Sequence, residues 1–396
     1  MQYTQDIFWG NIKYTKDTPV ADKLGFLKKL AHRSFLKNLT NPYFIWTGTG
    51  RIINLENKIF HSKIRSKLSK SEVHFYLYEP VCARIGNYNR SFYSEFDSTE
   101  NLKDIVCDEI ESIKIFVENN NIKNYKIFTS DYNIQLIKDN YPGIQLCCLD
   151  LFLINVSDMY YDIDIEHNVT NKFWCGNWRY TTHRHLIMSY LATLNGTYTW
   201  NLKCSYDELN KNGWFDLEKL KKENHIQYDQ LKAGVDYLYN NKFVVDQEYD
   251  AVAVAKFDEV FIPGHSAPNS NEHFLKSYRN SFCGVINETR FAQPFGYFSE
   301  KTLTALYSKL PVILVAPPHT LEYLKTFGFK TFDRWWNENY DTETNHHKRM
   351  IKIFDIIDYI NSKSIEELTV MYTEMEDILN HNHRITKNIQ FNDKIL

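Results

Sequence analysis

Ser281-Phe-Cys-Gly-Val-Ile286 is an apolar run that stops at Asn287-Glu-Thr289; Ser299 to Ser308 follows with helical spacing, and Val312-Ile-Leu-Val315 is a second apolar run. This order predicts strand, helix, strand. Two strands joined through a helix predict parallel pairing with a right-handed crossover. A further helix is expected from Pro318 to Phe327, opening on the proline signal.

The same grammar extends outward in both directions. Upstream, Phe173-Trp-Cys175 predicts a short strand running into Gly176-Asn-Trp-Arg179, then a helix from Thr181 to Leu194 with Thr181 or Thr182 as N-cap, and a strand from Tyr198 to Cys204. Asp216 to Asn240 reads as one charged peripheral helix, and Glu272 to Tyr278 as a short one. Downstream, Asn345 to Ile389 is almost wholly helical in pattern. In the first part of the chain, Asp22 to Leu39 is helical in spacing and Tyr43-Phe-Ile-Trp46 reads as a strand. A clearer alternation follows: strand Val73 to Tyr78, helix Leu102 to Val117, strand Tyr125 to Thr129, helix Asn133 to Asn140, and an apolar run from Ile144 to Leu153. The polar stretch from Tyr160 to Asn171 separates the two series. The expectation is an α/β protein of two Rossmann-like, doubly wound domains facing a cleft, at 1–165 and 166–340, with C-terminal helices at 341–396 packing across both.

Composition agrees with two cores. The chain has 396 residues, 43% of them apolar and 15% aromatic, more than one ordinary core usually holds. Lys plus Arg number 46 against 49 for Asp plus Glu, and the balance holds on both sides of residue 165, so neither half has the basic excess of a nucleic-acid-binding domain. The seven cysteines are scattered without C-x-x-C spacing, which suggests neither a disulfide framework nor a zinc site and fits a reducing cytoplasm. No export signal opens the sequence and no long apolar run predicts a membrane span. No G-x-S-x-G, Walker lysine loop or H-E-x-x-H occurs, and Gly48-x-Gly50 lacks the rest of a dinucleotide fingerprint. Asp162-x-Asp164 has the spacing of a metal-binding pair but lies in the linker stretch and reads as a solvated loop. His346-His347 and His381-x-His383 read as surface histidines of the helical tail, and Trp335-Trp336 as core or domain-bridging residues.

The chemistry concentrates where strands end. The helix opening at Ser299 directs its N-terminal N–H groups toward the carboxyl edge of the sheet, with Lys301 in its first turn. A lysine there opposes the helix dipole, so it is expected to face a negative ligand. Upstream, the strand Phe173 to Cys175 ends in a small-polar turn, and basic residues open the helix that follows.

Asn287-Glu-Thr289, Phe295-Gly-Tyr-Phe-Ser-Glu-Lys301 and Pro311-Val-Ile313 together resemble the donor-binding motif of the α1,3-fucosyltransferase family. The run from Leu314 to Phe332 resembles viral and bacterial glycosyltransferase-like proteins. The likeness covers about residues 281 to 340. It implies a GT-B-like glycosyltransferase that moves a sugar from a nucleotide-sugar donor to a glycan or other hydroxyl acceptor, without metal or other cofactor and with inversion. Lys301 then serves the phosphates and Glu300 the ribose or base, with Asn287, Tyr297 and Ser299 lining the same donor site. Phe173 to Arg184 is similar to the family's strand and arginine facing the pyrophosphate, which assigns Asn177 and either Arg179 or Arg184 to the leaving diphosphate, with His183 competing. His265 in Ile262-Pro-Gly-His-Ser-Ala-Pro268 is a candidate for the donor pocket. The acceptor proton needs a base from the other domain; Glu79 and Asp131, each just after a strand, are the candidates. Two rival readings are a nucleotide-sugar-binding protein without catalysis, and a glycosyltransferase acting on modified nucleic acid, against which the balanced charge stands.

Overall fold

The computed structural model of the chain describes residues 8–9, 43–46, 70, 72–76, 107, 110–111, 113–129, 134, 137–148, 166–177, 181–200, 214–240, 278–288, 290–292 and 296–388. The chain forms two compact units, Met1–Ile154 with Phe391–Leu396, and Asn155–Gln390. The protein is mixed α/β, and every described strand pairing is parallel.

The first unit carries a five-stranded sheet: β1 (Phe8–Trp9), β2 (Tyr43–Trp46), β3 (Glu72–Tyr76), β4 (Asn124–Thr129) and β5 (Leu146–Cys148). The strands lie side by side in sequence order. Val73, Phe75 and Ile127 are buried in it, and Phe116 of the helical residues 113–119 meets Phe75 edge to face at 6.0 Å. A sheet that never reverses its strand order has no point where winding changes face, so among the described strands this half departs from the doubly wound expectation.

The second unit is built on β6 (Asn171–Asn177), β7 (Gly196–Trp200), β8 (Ser281–Asn287) and β9 (Val312–Val315), in the order β7-β6-β8-β9. Here the order does reverse, between β6 and β8. All seven residues of β8 and all four of β9 are buried, as the continuous apolar runs require of parallel strands covered on both faces.

Between β6 and β7 runs α1 (Thr182–Leu191), buried along its whole length. Thr181 is its N-cap, accepting from the Arg184 N–H at 3.4 Å. The expected helix over Asp216 to Asn240 is two, α2 (Leu217–Glu223) and α3 (His225–Asn240). Asn224 breaks it by leaving helical backbone and accepting from the Gln227 N–H at 3.2 Å, the usual work of an asparagine N-cap. α4 (Glu300–Tyr307) joins β8 to β9, and α5 (Thr320–Thr326) follows β9. The start of α5 falls after Pro318 because the Asp341 carboxylate accepts from the N–H groups of Leu321 and Glu322 at 2.8 and 3.1 Å, capping the helix from a distant loop.

Three helices close the described chain: α6 (His346–Asn361), α7 (Ile365–Glu374) and α8 (Glu376–Asn388). They are integral to the second unit. α6 buries Ile353, Phe354, Ile357 and Ile360 and stacks Phe354 on Tyr190 of α1 at 3.9 Å; α7 packs against β6 and β8, and α8 along α4. Their apolar faces complete the core of this unit. Trp336 is buried and stacked on Phe332 at 5.3 Å. Among the described residues no helix is long and apolar enough to cross a membrane.

Candidate functional site

In an open parallel sheet, the crevice outside the carboxyl ends of the strands at an order reversal is where a ligand is best received, because the loops diverge there and helix N-termini point in. In this chain that point lies between β6 and β8. β6 ends on Asn177 and β8 on Asn287, on adjacent strands. Both side chains are buried, and both Nδ2 groups reach the Sγ of Cys175 at 3.2 Å. Burial pushes the Cys175 thiol up to about 12, so it is a neutral anchor. The Oδ1 atoms of Asn177 and Asn287 have no partner.

The N-terminus of α1 brings His183 and Arg184 to the same edge. Arg184 is buried and donates from one terminal nitrogen to the Asn287 carbonyl at 3.4 Å. His183 Nε2 lies 2.9 Å from the Glu288 carbonyl oxygen, and its ring stacks on Phe291 at 5.3 Å. Burial, then the neighbouring Arg184 charge, lower the His183 pKa to about 3, so the imidazole is neutral. Phe291 also carries the guanidinium of Arg349 over its ring at 4.2 Å. Arg349, itself buried, donates to the carbonyls of Phe291 and Glu343, fixing the loop that leaves β8. Arg290 lies over the Tyr297 ring at 5.1 Å.

The residue that organises this edge is Glu288, to which the sequence reading gave no role. It directly follows β8 and is wholly buried, with each carboxylate oxygen receiving two donors. Oε1 accepts from the Ser299 N–H at 2.8 Å and the Thr302 hydroxyl at 2.6 Å; Oε2 accepts from the Ser299 hydroxyl at 2.6 Å and faces the Lys301 ammonium at 3.5 Å. Burial works to raise its pKa, but the Lys301 charge and the Ser299 and Thr302 donors outweigh burial and hold it below the ordinary value. Lys301 also donates to Ser299 Oγ at 2.7 Å, and its side chain is 32% exposed. The first-turn lysine, expected to face a negative ligand, is thus paired with a carboxylate of the chain itself, because the loop leaving β8 brings Glu288 under the start of α4. The signal was a glutamate set directly after the strand Ser281–Asn287, whose interior is apolar, followed by Ser299-x-Lys301-Thr302.

The structure thus brings Asn177, Arg184, Asn287, Ser299 and Lys301 to one edge, with Tyr297 buried beside them and Glu300 opening α4. Arg179, His265, Glu79 and Asp131 lie outside the described residues, as does Asp162-x-Asp164. Of the histidines expected at the surface of the tail, His347 is buried, and His383, half-buried, stacks on Tyr307 at 4.6 Å; His346 and His381 stay partly exposed. Among the described residues no three His, Cys, Asp or Glu side chains gather as a metal site. Comparison with known proteins finds no matching family model, curated protein or solved structure.

Proposed function

We propose that the chain is a glycosyltransferase that moves a sugar from a nucleotide-sugar donor to an acceptor hydroxyl, with its two units arranged as in GT-B enzymes. What supports this reading is one observation: Arg184, bonded to the Asn287 carbonyl, and Lys301, at the N-terminus of α4 and paired with Glu288, both lie at the carboxyl edge of β6 and β8, where the strand order reverses. Such an edge suits a phosphate-bearing ligand.

In this scheme the acceptor oxygen attacks the anomeric carbon as its proton passes to a carboxylate, Glu79 or Asp131. The bond from that carbon to the diphosphate oxygen breaks, and its electron pair leaves with the diphosphate. Lys301 and a guanidinium, Arg184 or Arg179, stabilise the charge that develops there. The scheme draws on no metal. Attack opposite the leaving group inverts the anomeric centre.

The test incubates the full chain with GDP-, UDP-, CMP- and dTDP-sugars and follows transfer and donor hydrolysis by mass spectrometry. One donor is expected to be consumed. Lys301→Ala and Lys301→Gln, checked for folding by circular dichroism, are expected to lower its turnover by about 10²–10³-fold, the cost of removing one donor to developing charge. Full turnover in folded Lys301 variants overturns the role of this residue. A donor that binds and is never turned over makes the chain a binding protein.

A further inference from the structure

We propose that Glu288 is a built-in counter-anion of this edge: it fixes the Lys301 ammonium in place and, by cancelling part of its charge, sets how tightly a diphosphate is held and how readily it leaves. The inference rests on the phosphate reading above. A helix N-terminus with an exposed lysine and hydroxyl donors attracts an anion, and at α4 the chain supplies one. The four donors that converge on Glu288, namely the Ser299 N–H, the Ser299 and Thr302 hydroxyls and the Lys301 ammonium, are those a phosphate would recruit. The carboxylate is completely buried while the lysine reaches solvent. A ligand phosphate therefore meets the lysine from the solvent side, with the carboxylate behind it, and the two anions share one ammonium. Their mutual repulsion across a partly buried site is weakly screened, so it lowers ligand affinity. In return, Ser299 and Glu288 keep the ammonium at one position before the ligand arrives, which removes the cost of ordering a long side chain on binding.

The experiment titrates inorganic pyrophosphate and, separately, GDP and UDP into the wild-type full chain, Glu288→Gln and Glu288→Asp by calorimetry at low and high salt. Loss of the negative charge in Glu288→Gln is expected to tighten pyrophosphate binding about tenfold at low salt, with the gain shrinking at high salt. Glu288→Asp keeps the charge but draws it back by one methylene, and a few-fold tightening is expected. Should Glu288→Gln fail to fold, Glu288→Asp decides alone. Unchanged or weaker binding in a folded variant, with wild type binding normally, overturns the counter-anion and leaves the phosphate reading standing. No binding of pyrophosphate, GDP or UDP by any form overturns both.

Discussion

A lysine in the first turn of a helix works against the helix dipole by a few tenths to about 1 kcal/mol, and at Lys301 the Glu288 carboxylate 3.5 Å away offsets it. Sequence reasoning argues from the dipole alone that such a lysine faces negative charge, and it assigns that charge to a ligand. It could not say that the partner sat thirteen residues upstream, because the loop joining β8 to α4 decides whether the two meet. Asn177 and Asn287 were legible in part for the same reason: each ends an apolar run, but their common anchor on Cys175 depends on strand adjacency. The Glu288 cradle also makes a prediction about stability. Thr302→Val keeps the shape of a wholly buried side chain and removes one donor from Glu288 Oε1. A buried hydrogen bond to a charged group contributes about 1.5–3 kcal/mol, so urea unfolding should show a loss of that size. A change below about 0.5 kcal/mol would mean that the carboxylate does not depend on this donor.

At the scale of elements, the strands were the most legible. Val312–Val315 matches its apolar run residue for residue, and β8 extends the expected strand by Asn287 alone, since a buried parallel strand declares itself by continuous apolar sequence. Helix environments were less so. The sequence of α1 includes the polar residues Thr182, His183, Arg184, His185 and Ser189, and all are buried. Part of the reason is Gly234 of α3: a Cβ built there would lie 1.5 Å from the Ser189 carbonyl oxygen. The two helix backbones touch at that point, a close approach that only glycine permits. Gly234→Ala sets two effects against each other. Helix propensity favours alanine by about 1 kcal/mol, whereas forcing the helices apart costs about 1–3 kcal/mol or more. The contact is far inside any tolerated distance, so the steric effect should win, giving net destabilisation of at least about 1 kcal/mol by urea unfolding. A stabilised Gly234→Ala would show that α1 and α3 do not pack this closely in solution.

Over the whole molecule, the balance of 46 basic against 49 acidic residues gives no hint of where charge is buried, because a count does not know which side chains face inward. In the second unit the interior takes in histidines. Burial lowers the pKa of His167 to about 4, and lowers those of His183 and His185 to about 3, with nearby positive charge adding to the shift for His183. Each of these is neutral when folded and gains a proton on unfolding at any pH between its folded value and about 6.5, the ordinary value. Their contribution to stability is therefore complete above about 6.5 and is lost as pH falls toward 4. Glu338 acts in the opposite sense. Burial raises its pKa to about 7, so its contribution is complete below its ordinary range near 4.5 and is lost as pH rises through 7. Asp355 and Asp358, which share Gln227 as a donor, are raised by burial too and oppose the histidines nearer the ordinary carboxylate range. Between about pH 6 and 5 these three histidines, together with His346, lowered to about 4, and His347, also lowered by burial, outweigh one glutamate, so unfolding takes up at least about two protons net, a slope of at least about 3 kcal/mol per pH unit. Against a total stability of about 5–15 kcal/mol for a domain, that slope should bring the second unit close to unfolding by about pH 4.5. Urea titrations at successive pH values, followed by tryptophan fluorescence, measure it directly, and His185→Gln should flatten the slope by about one proton. A stability curve that stays level from pH 6.5 to 5 would mean that these imidazoles reach water or a carboxylate, and that the interior around α1 is not closed.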